Sequence, residues 1–215
     1  MVKKVLIKKV SLSLVPALLL STSIVNASDL NPMLQFGYDF GGKTLATVEQ
    51  YDYYTGYDTA KIKAGQGLSF EAGAAVNSEG SDLELQFLVG YKFDRESAAN
   101  GSVTWDRIPL TALGMIKNNR WKFGGGITYH LNPELSGSFS GISNGQAFDD
   151  SVDDTYDNAI GGVIQAQYMM SDSSAIGLRG TFIEYELKNN PSVVASGNSV
   201  GINFSYTFGK RSEFR

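Results

Sequence analysis

The sequence predicts an all-β fold: eight antiparallel strands in up-and-down order, closed into a transmembrane β-barrel, behind a leader removed on export. Three observations predict it. Apolar and polar residues alternate in eight separate segments, the connections between them are short and long in turn, and the apolar faces finish in aromatic side chains. Alternation gives each segment two unlike faces, because successive side chains of a strand point opposite ways. In a soluble sandwich the apolar faces meet in a core, whereas in a membrane barrel they meet lipid and the polar faces turn inward.

The first residues stand apart from this pattern. Met1 to Lys9 carries Lys3, Lys4, Lys8 and Lys9, Val10 to Val25 is apolar or small, and Val25-Asn26-Ala27 offers small residues at a cleavage point. This reads as a secretory signal over residues 1–27, with the mature domain over 28–215. The alternative, an anchoring helix, needs about 20 apolar residues, and this run is interrupted by Ser21, Thr22 and Ser23. Removing the leader's four Lys from 18 basic residues leaves 14 against 22 acidic ones, a net charge of −8. No nucleic-acid partner is expected at that balance, since phosphate recognition needs a basic patch and the remaining cluster, Lys210-Arg211, is short. The absence of Cys excludes a disulfide framework and thiolate chemistry. The 24 Gly, 11 Tyr and 12 Phe against 5 Pro suit aromatic-rich strands relieved by glycine.

The segments follow in order. The first sets Leu34, Phe36, Tyr38 and Phe40 against Gln35, Gly37 and Asp39. In the second, Leu68, Phe70, Ala72 and Ala74 oppose Ser69, Glu71 and Gly73, and the same parity carried backwards puts Lys61 and Lys63 on the polar face. The third, the longest clean case, sets Leu83, Leu85, Phe87, Val89, Tyr91 and Phe93 against Glu84, Gln86, Gly90 and Lys92. The fourth joins Ile108, Leu110 and Ala112 on one face, but Val103 and Trp105 have the opposite parity, so a bulge near Asp106 to Pro109 is expected to restore the phase. The fifth alternates Trp121, Phe123, Ile127, Tyr129 and Leu131 with Lys122, Gly124, Gly126, Thr128 and His130, and the sixth sets Ile160, Ile164, Ala166 and Tyr168 against Gly161, Gln165 and Gln167. The seventh places Ile176 and Leu178 opposite Arg179 and Thr181, with no clear phase beyond Phe182. The eighth puts Val200, Ile202, Phe204, Tyr206 and Phe208 opposite Gly201, Asn203, Ser205 and Thr207.

Three connections, NSEGSD, KNNR and SDSS, are short and turn-forming, and the four between them, about 45–58, 94–101, 132–158 and 188–198, are longer. Strict alternation puts all long loops at one end of an antiparallel meander, the asymmetry of a membrane barrel. A Greek-key sandwich accounts for the strand count but not for segments of about ten residues with aromatic ends. Eight strands enclose a space that side chains fill, so inward charges have to pair across it. Asp39, Glu71, Glu84, Lys122, His130 and Arg179 are the expected members of an interior polar network that plugs the lumen.

The leader, eight alternating segments, short and long connections in turn, and the closing strand INFSYTF resemble the small eight-stranded outer-membrane β-barrel proteins of Gram-negative bacteria, the opacity, OmpX and OmpW-like grouping, over residues 33–209. The resemblance implies an outer-membrane location, contact with lipid and lipopolysaccharide, and a monomer. It also implies that the barrel-assembly machinery reads the aromatic end of the last strand, here Tyr206 and Phe208, although Gly209 to Arg215 extends past it.

No catalytic, cofactor or metal site is expected. His130 is the only His and has no nucleophile and orienting acid at matching parity. Glu134, Asp149, Asp150, Asp153, Asp154 and Asp157 crowd the third long loop, but DDSVDDTYDN lacks the Gly and terminal Glu of a Ca²⁺-binding loop, so a solvated acidic loop is expected. Tyr51, Tyr53, Tyr54 and Tyr57 in the first long loop fit either a recognition surface or an interfacial aromatic girdle. The function expected is structural or surface-interactive through the four long loops. The alternative is a narrow porin-like channel, or one that passes apolar molecules sideways through its wall.

Overall fold

The computed structural model describes residues 29–52, 56–77, 80–98, 101–143 and 146–209. The leader at 1–27, the Lys210-Arg211 tail and the side chains of Tyr51, Tyr53, Tyr54 and Tyr57 lie outside the described residues.

The strands, in order, are β1 (Asp29–Gly41), β2 (Thr44–Asp52), β3 (Gly56–Lys63), β4 (Gly67–Asn77), β5 (Leu83–Ala98), β6 (Gly101–Asn118), β7 (Trp121–Ser143), β8 (Gln146–Thr155), β9 (Ala159–Met169), β10 (Ser174–Phe182), β11 (Glu184–Leu187), β12 (Asn190–Ser196) and β13 (Ser199–Thr207). Eight of them, β1, β4, β5, β6, β7, β9, β10 and β13, pair antiparallel in that cycle, and the β6–β7 and β1–β13 ladders close it. Closure leaves the membrane-height strands with no free edge.

The stagger is read directly from the ladders. Hydrogen-bonded neighbours lead from Asn31 through Ala75, Gln86, Leu113, Gly126, Val163, Thr181 and Ser199 back to β1 at Gly41, ten residues above the start (31 to 41). A stagger of ten over eight strands tilts them by about 40°. The outward residues of β5, Leu83 to Phe93, then cover about 25 Å of height, the thickness of an apolar membrane band.

Inside and outside are inverted relative to a soluble protein. Phe36, Phe70, Phe87, Val89, Tyr91, Trp121, Phe123, Ile164, Leu178, Ile202 and Phe204 are exposed around the wall, while Gln35, Glu71, Glu84, Gln86, Lys122, Gln167, Arg179 and Asn203 are buried within it. Aromatic pairs finish the lipid face at both ends: Tyr91 stacks on Phe93 near the long connections, and Trp121 packs on Phe123 and Tyr168 near the short turns.

The long connections are largely strands. β5, β6 and β7 run past the wall, β8 folds back on β7, and β2–β3 and β11–β12 form hairpins of their own. These extensions join one another, with Asp157 N bonded to Glu186 O at 2.9 Å, Lys188 N to Thr155 O at 3.0 Å and Lys43 N to Ser196 O at 2.7 Å.

Two parity expectations are corrected. β6 keeps one phase throughout, so Val103 and Trp105 point inward with Arg107, Thr111 and Met115, and no bulge near Asp106 to Pro109 flips them. The extra residue lies across the ladder in β7, where Asp106 pairs with Glu134 and Ile108 with Leu131 around Asn132 at φ 47°. Val103 and Trp105 are apolar yet inward because the interior at that height is itself apolar. Lys61 and Lys63 do not continue the polar face of β4, since the chain turns between β3 and β4; Lys61 is exposed and Ile62 is buried in its stead.

Candidate functional site

Three tiers of charge fill the lumen from the short-turn end upward. In the lowest, Glu84 on β5 accepts from Lys122 Nζ on β7 at 2.7 and 2.9 Å and from Gln86 Nε2 at 2.8 Å, with Lys117 Nζ at 3.5 Å. In the middle tier, Glu71 on β4 accepts from Arg179 Nη1 on β10 at 2.9 and 3.0 Å and from Gln35 Nε2 on β1 at 2.7 Å, while Arg179 Nε donates to Gln165 Oε1 at 2.7 Å. In the highest, Lys92 on β5 donates to Asp39 on β1 at 2.5 Å and to Gly65 O at 2.9 Å. Each acid has an opposite charge because an unpaired buried charge costs several kcal/mol. The pairs join strands two or three places apart around the ring, tying non-adjacent parts of the wall to one another through the interior.

Above the third tier the interior changes character. Arg107 donates through Nη2 to Gln66 O at 2.6 Å and lies 5.3 Å from the Trp105 ring. His130 Nδ1 meets the Tyr185 hydroxyl at 2.6 Å, and Trp105 Nε1 donates to Ala64 O at 2.9 Å. From there Val48, Ile62, Ala64, Val103, Trp105, Leu135, Tyr156, Ala159, Ile183, Tyr185 and Ala195 pack as one apolar cluster. Three of the four long connections contribute members, and in the fourth, between β5 and β6, partly buried Ala98 touches it. Trp105 packs edge-on against Tyr156 and Tyr185, with centroids at 5.1 and 5.3 Å. Burial, with Asp154 nearby, raises the Tyr156 phenol above its ordinary value.

Between the tiers a cavity of about 10 Å³ remains, lined by Asp39, Glu71, Lys92, His130 and Arg179 among others. That is room for a single water. Gln35 Oε1, Gln165 Nε2, Arg179 Nη2 and both polar atoms of Asn203 meet no protein partner among the described residues, as in a partly wet interior.

The residues singled out from sequence fall as follows. Glu84 and Lys122 share the lowest tier, Glu71 and Arg179 the middle one, and Asp39 sits in the highest with Lys92, which parity had placed inside without a partner. His130 is hydrogen-bonded to Tyr185, and among the described residues it makes no hydrogen bond to an acid, although it lines the small cavity with Asp39 and Glu71. Tyr206 and Phe208 lie outside at the short-turn end, centroids 4.8 Å apart. Sequence reasoning did not single out Gln35, Gln165, Arg107 or Tyr185. Period-two alternation places the first two inside but gives no sign of their partners, and Tyr185 lies where the seventh segment's phase was unread. Asp149, Asp150, Asp153 and Asp157 are exposed, and among the described residues no group of three or more His, Asp or Glu converges to hold a metal ion.

Among known proteins, no family model and no curated protein matches this chain. Solved structures do resemble it in shape. One is Ail, the attachment invasion locus protein of Yersinia pestis, solved in complex with the heparin analogue sucrose octasulfate: 10% identical, TM-score 0.49, covering 84% of this chain and 99% of that one. Another is Neisserial surface protein A, NspA, 11% identical, TM-score 0.44, covering 85% and 100%. The ladders themselves define the architecture: a closed, eight-stranded, antiparallel up-and-down β-barrel, apolar outside and polar within, the form in which small outer-membrane barrels are built.

Proposed function

We propose that this chain is an exported outer-membrane barrel that works as a sealed scaffold, presenting its β-hairpin extensions at the cell surface for interaction, and not as a channel. One observation carries the reading: an apolar band about 25 Å high encloses an interior of mutually paired charges. The band suits lipid and the pairs suit a lumen closed to solutes. The apolar cluster adds a second closure above the charges. In this reading residues 1–27 direct export, residues 28–215 form the barrel domain, and Tyr206 and Phe208 close the strand that the assembly machinery reads. Lipid and lipopolysaccharide surround the wall, and the exposed faces of the extensions meet the partner. His130, bonded to a tyrosine, serves structure and not catalysis.

The test is electrophoresis with and without boiling on refolded residues 28–215, with planar-bilayer recording on the same sample. A band that shifts on boiling and a silent bilayer are expected. Discrete conductance steps from the shifting form would replace the sealed scaffold by the narrow-channel reading, and a soluble form with no shift would overturn the membrane reading.

A further inference from the structure

Two opposite flanks of the molecule are complementary. On one, the lipid face of β1, β4 and β5 holds a pit of about 300 Å³ lined by the side chains of Leu34, Phe36, Phe70, Ala72, Val89 and Tyr91, with Glu71 and Gly90 also at its wall. A small residue among five large ones makes the hollow. Above it, where β4 gives way to β3 and β5 runs past the band, stand Lys61, Lys63 and Arg95, with Lys61 and Arg95 exposed and Asp106, bonded to Tyr91, as the nearby acid.

On the other flank the wall carries a knob. Ile164 on β9 is 57% exposed. Its ladder partners are Gly125 on β7 and Gly180 on β10, and Gly162 and Ala166 share its face two residues to either side, so it rises among small residues with its side chain leaning over Gly180. Above the knob stand Asp157, Glu184 and Glu186, all exposed, with Lys188 as the nearby base. None of Asp157, Glu184 and Glu186, nor Lys61, Lys63 or Arg95, is in an ion pair among the described residues.

Pit and knob lie at one height. Ladder partners lead from Ala72 through Val89, Leu110 and Tyr129 to Ile160, four strands and half a circumference away. Half the ten-residue stagger lowers the level by five residues, from 160 to 165, beside Ile164. Two copies held upright in one membrane therefore meet with knob facing pit and acidic patch facing basic patch. We propose that this barrel associates with further copies of itself side by side and head to tail, Ile164 of one copy seating over Ala72 of the next, with Asp157, Glu184 and Glu186 against Lys61, Lys63 and Arg95. The two patches differ, so the contact is heterologous and extends into rows instead of closing as a symmetric pair. Such rows depart from the monomer that the resemblance implies.

The inference rests on the membrane reading, and the test separates the two. The chain has no Cys, so single cysteines can be placed at will. Full mature protein carrying Arg95→Cys and protein carrying Glu184→Cys are refolded into phosphatidylcholine vesicles, separately and mixed, and oxidised. The heat-dependent band shift reports insertion, and the gel reports cross-links. A disulfide-linked dimer only in the mixture supports the row, as does its loss when the Arg95→Cys protein also carries Lys61→Glu and Lys63→Glu. High salt, which screens exposed charge, is expected to weaken it in the same way. Inserted protein that gives no mixed dimer overturns the proposal, and so does equal cross-linking in either single sample, the mark of a symmetric or random contact.

Discussion

Replacing Arg179 by Leu isolates what the interior charges contribute. The guanidinium lies 2.9 Å from Glu71, with side-chain exposures of 8% and 2%, so the pair is screened by almost no solvent. Taking away one member of such a pair leaves the other charge buried with only neutral partners, here Glu71 with Gln35, at a cost of about 3–5 kcal/mol. That is roughly two to four powers of ten in the folding equilibrium. The reverse change, Glu71→Leu, costs a similar amount, because Arg179 then keeps only Gln165. The double variant Glu71→Leu/Arg179→Leu removes both charges and leaves two glutamines short of a partner, about 1 kcal/mol each. It is therefore expected to be markedly more stable than either single variant. Urea unfolding in lipid vesicles, followed by the heat-dependent band shift, gives all four corners of the cycle. A double variant whose loss equals the sum of the two single losses would show that the charges do not act on each other and would refute the account of the middle tier.

Trp105→Ala empties the centre of the apolar cluster and is expected to cost about 3–5 kcal/mol, measured by the same unfolding assay. The chain's two tryptophans report separate places, Trp105 the cluster and Trp121 the lipid rim, so quenching by brominated lipid should reach Trp121 and spare Trp105. Valine at Gly126 is expected to prevent refolding, since even a Cβ there would sit 1.9 Å from Ala112 O, whereas Gly162→Val, with nothing within 4 Å, should refold with an unchanged band shift. If, as proposed, the assembly machinery reads the last strand, Phe208→Ala is expected to slow insertion in cells without lowering the stability of protein already folded, compared by a pulse of synthesis and by urea titration.

The wall was legible in the sequence because lipid and a polar lumen impose a strict period of two. Leu83 to Phe93 display it without a break, and the eighth segment does so to its last aromatic. What the sequence hid lies above the membrane, where the solvents of the two faces exchange roles. Val103, Trp105, Ile183 and Tyr185 are apolar and inward there, so the rule that apolar means outward, valid one turn below, assigned Trp105 to the wrong side and lost the phase after Phe182. The connections looked like loops because water on their outer faces permits Ser, Asp and Asn at positions that lipid would have kept apolar. In the lumen, charge and parity brought Glu71 and Arg179 inside, but their meeting depends on a stagger of ten, which no single segment records.

The cluster over the charged tiers draws on residues as far apart in the chain as Val48 and Ala195. No hairpin can shelter its apolar side alone; each waits for the others, and they come together only when the first and last barrel strands have met. Ring closure and the cap thus form one cooperative event, with the cap as its latch: a barrel left open at the β1–β13 seam would show water the same apolar surface that a finished one conceals. The extensions are for that reason not detachable ornaments. Excising one also unfastens the latch, and the proposed interaction surface can vary without disturbing the latch at outward positions such as Arg95, Asp153 and Glu184.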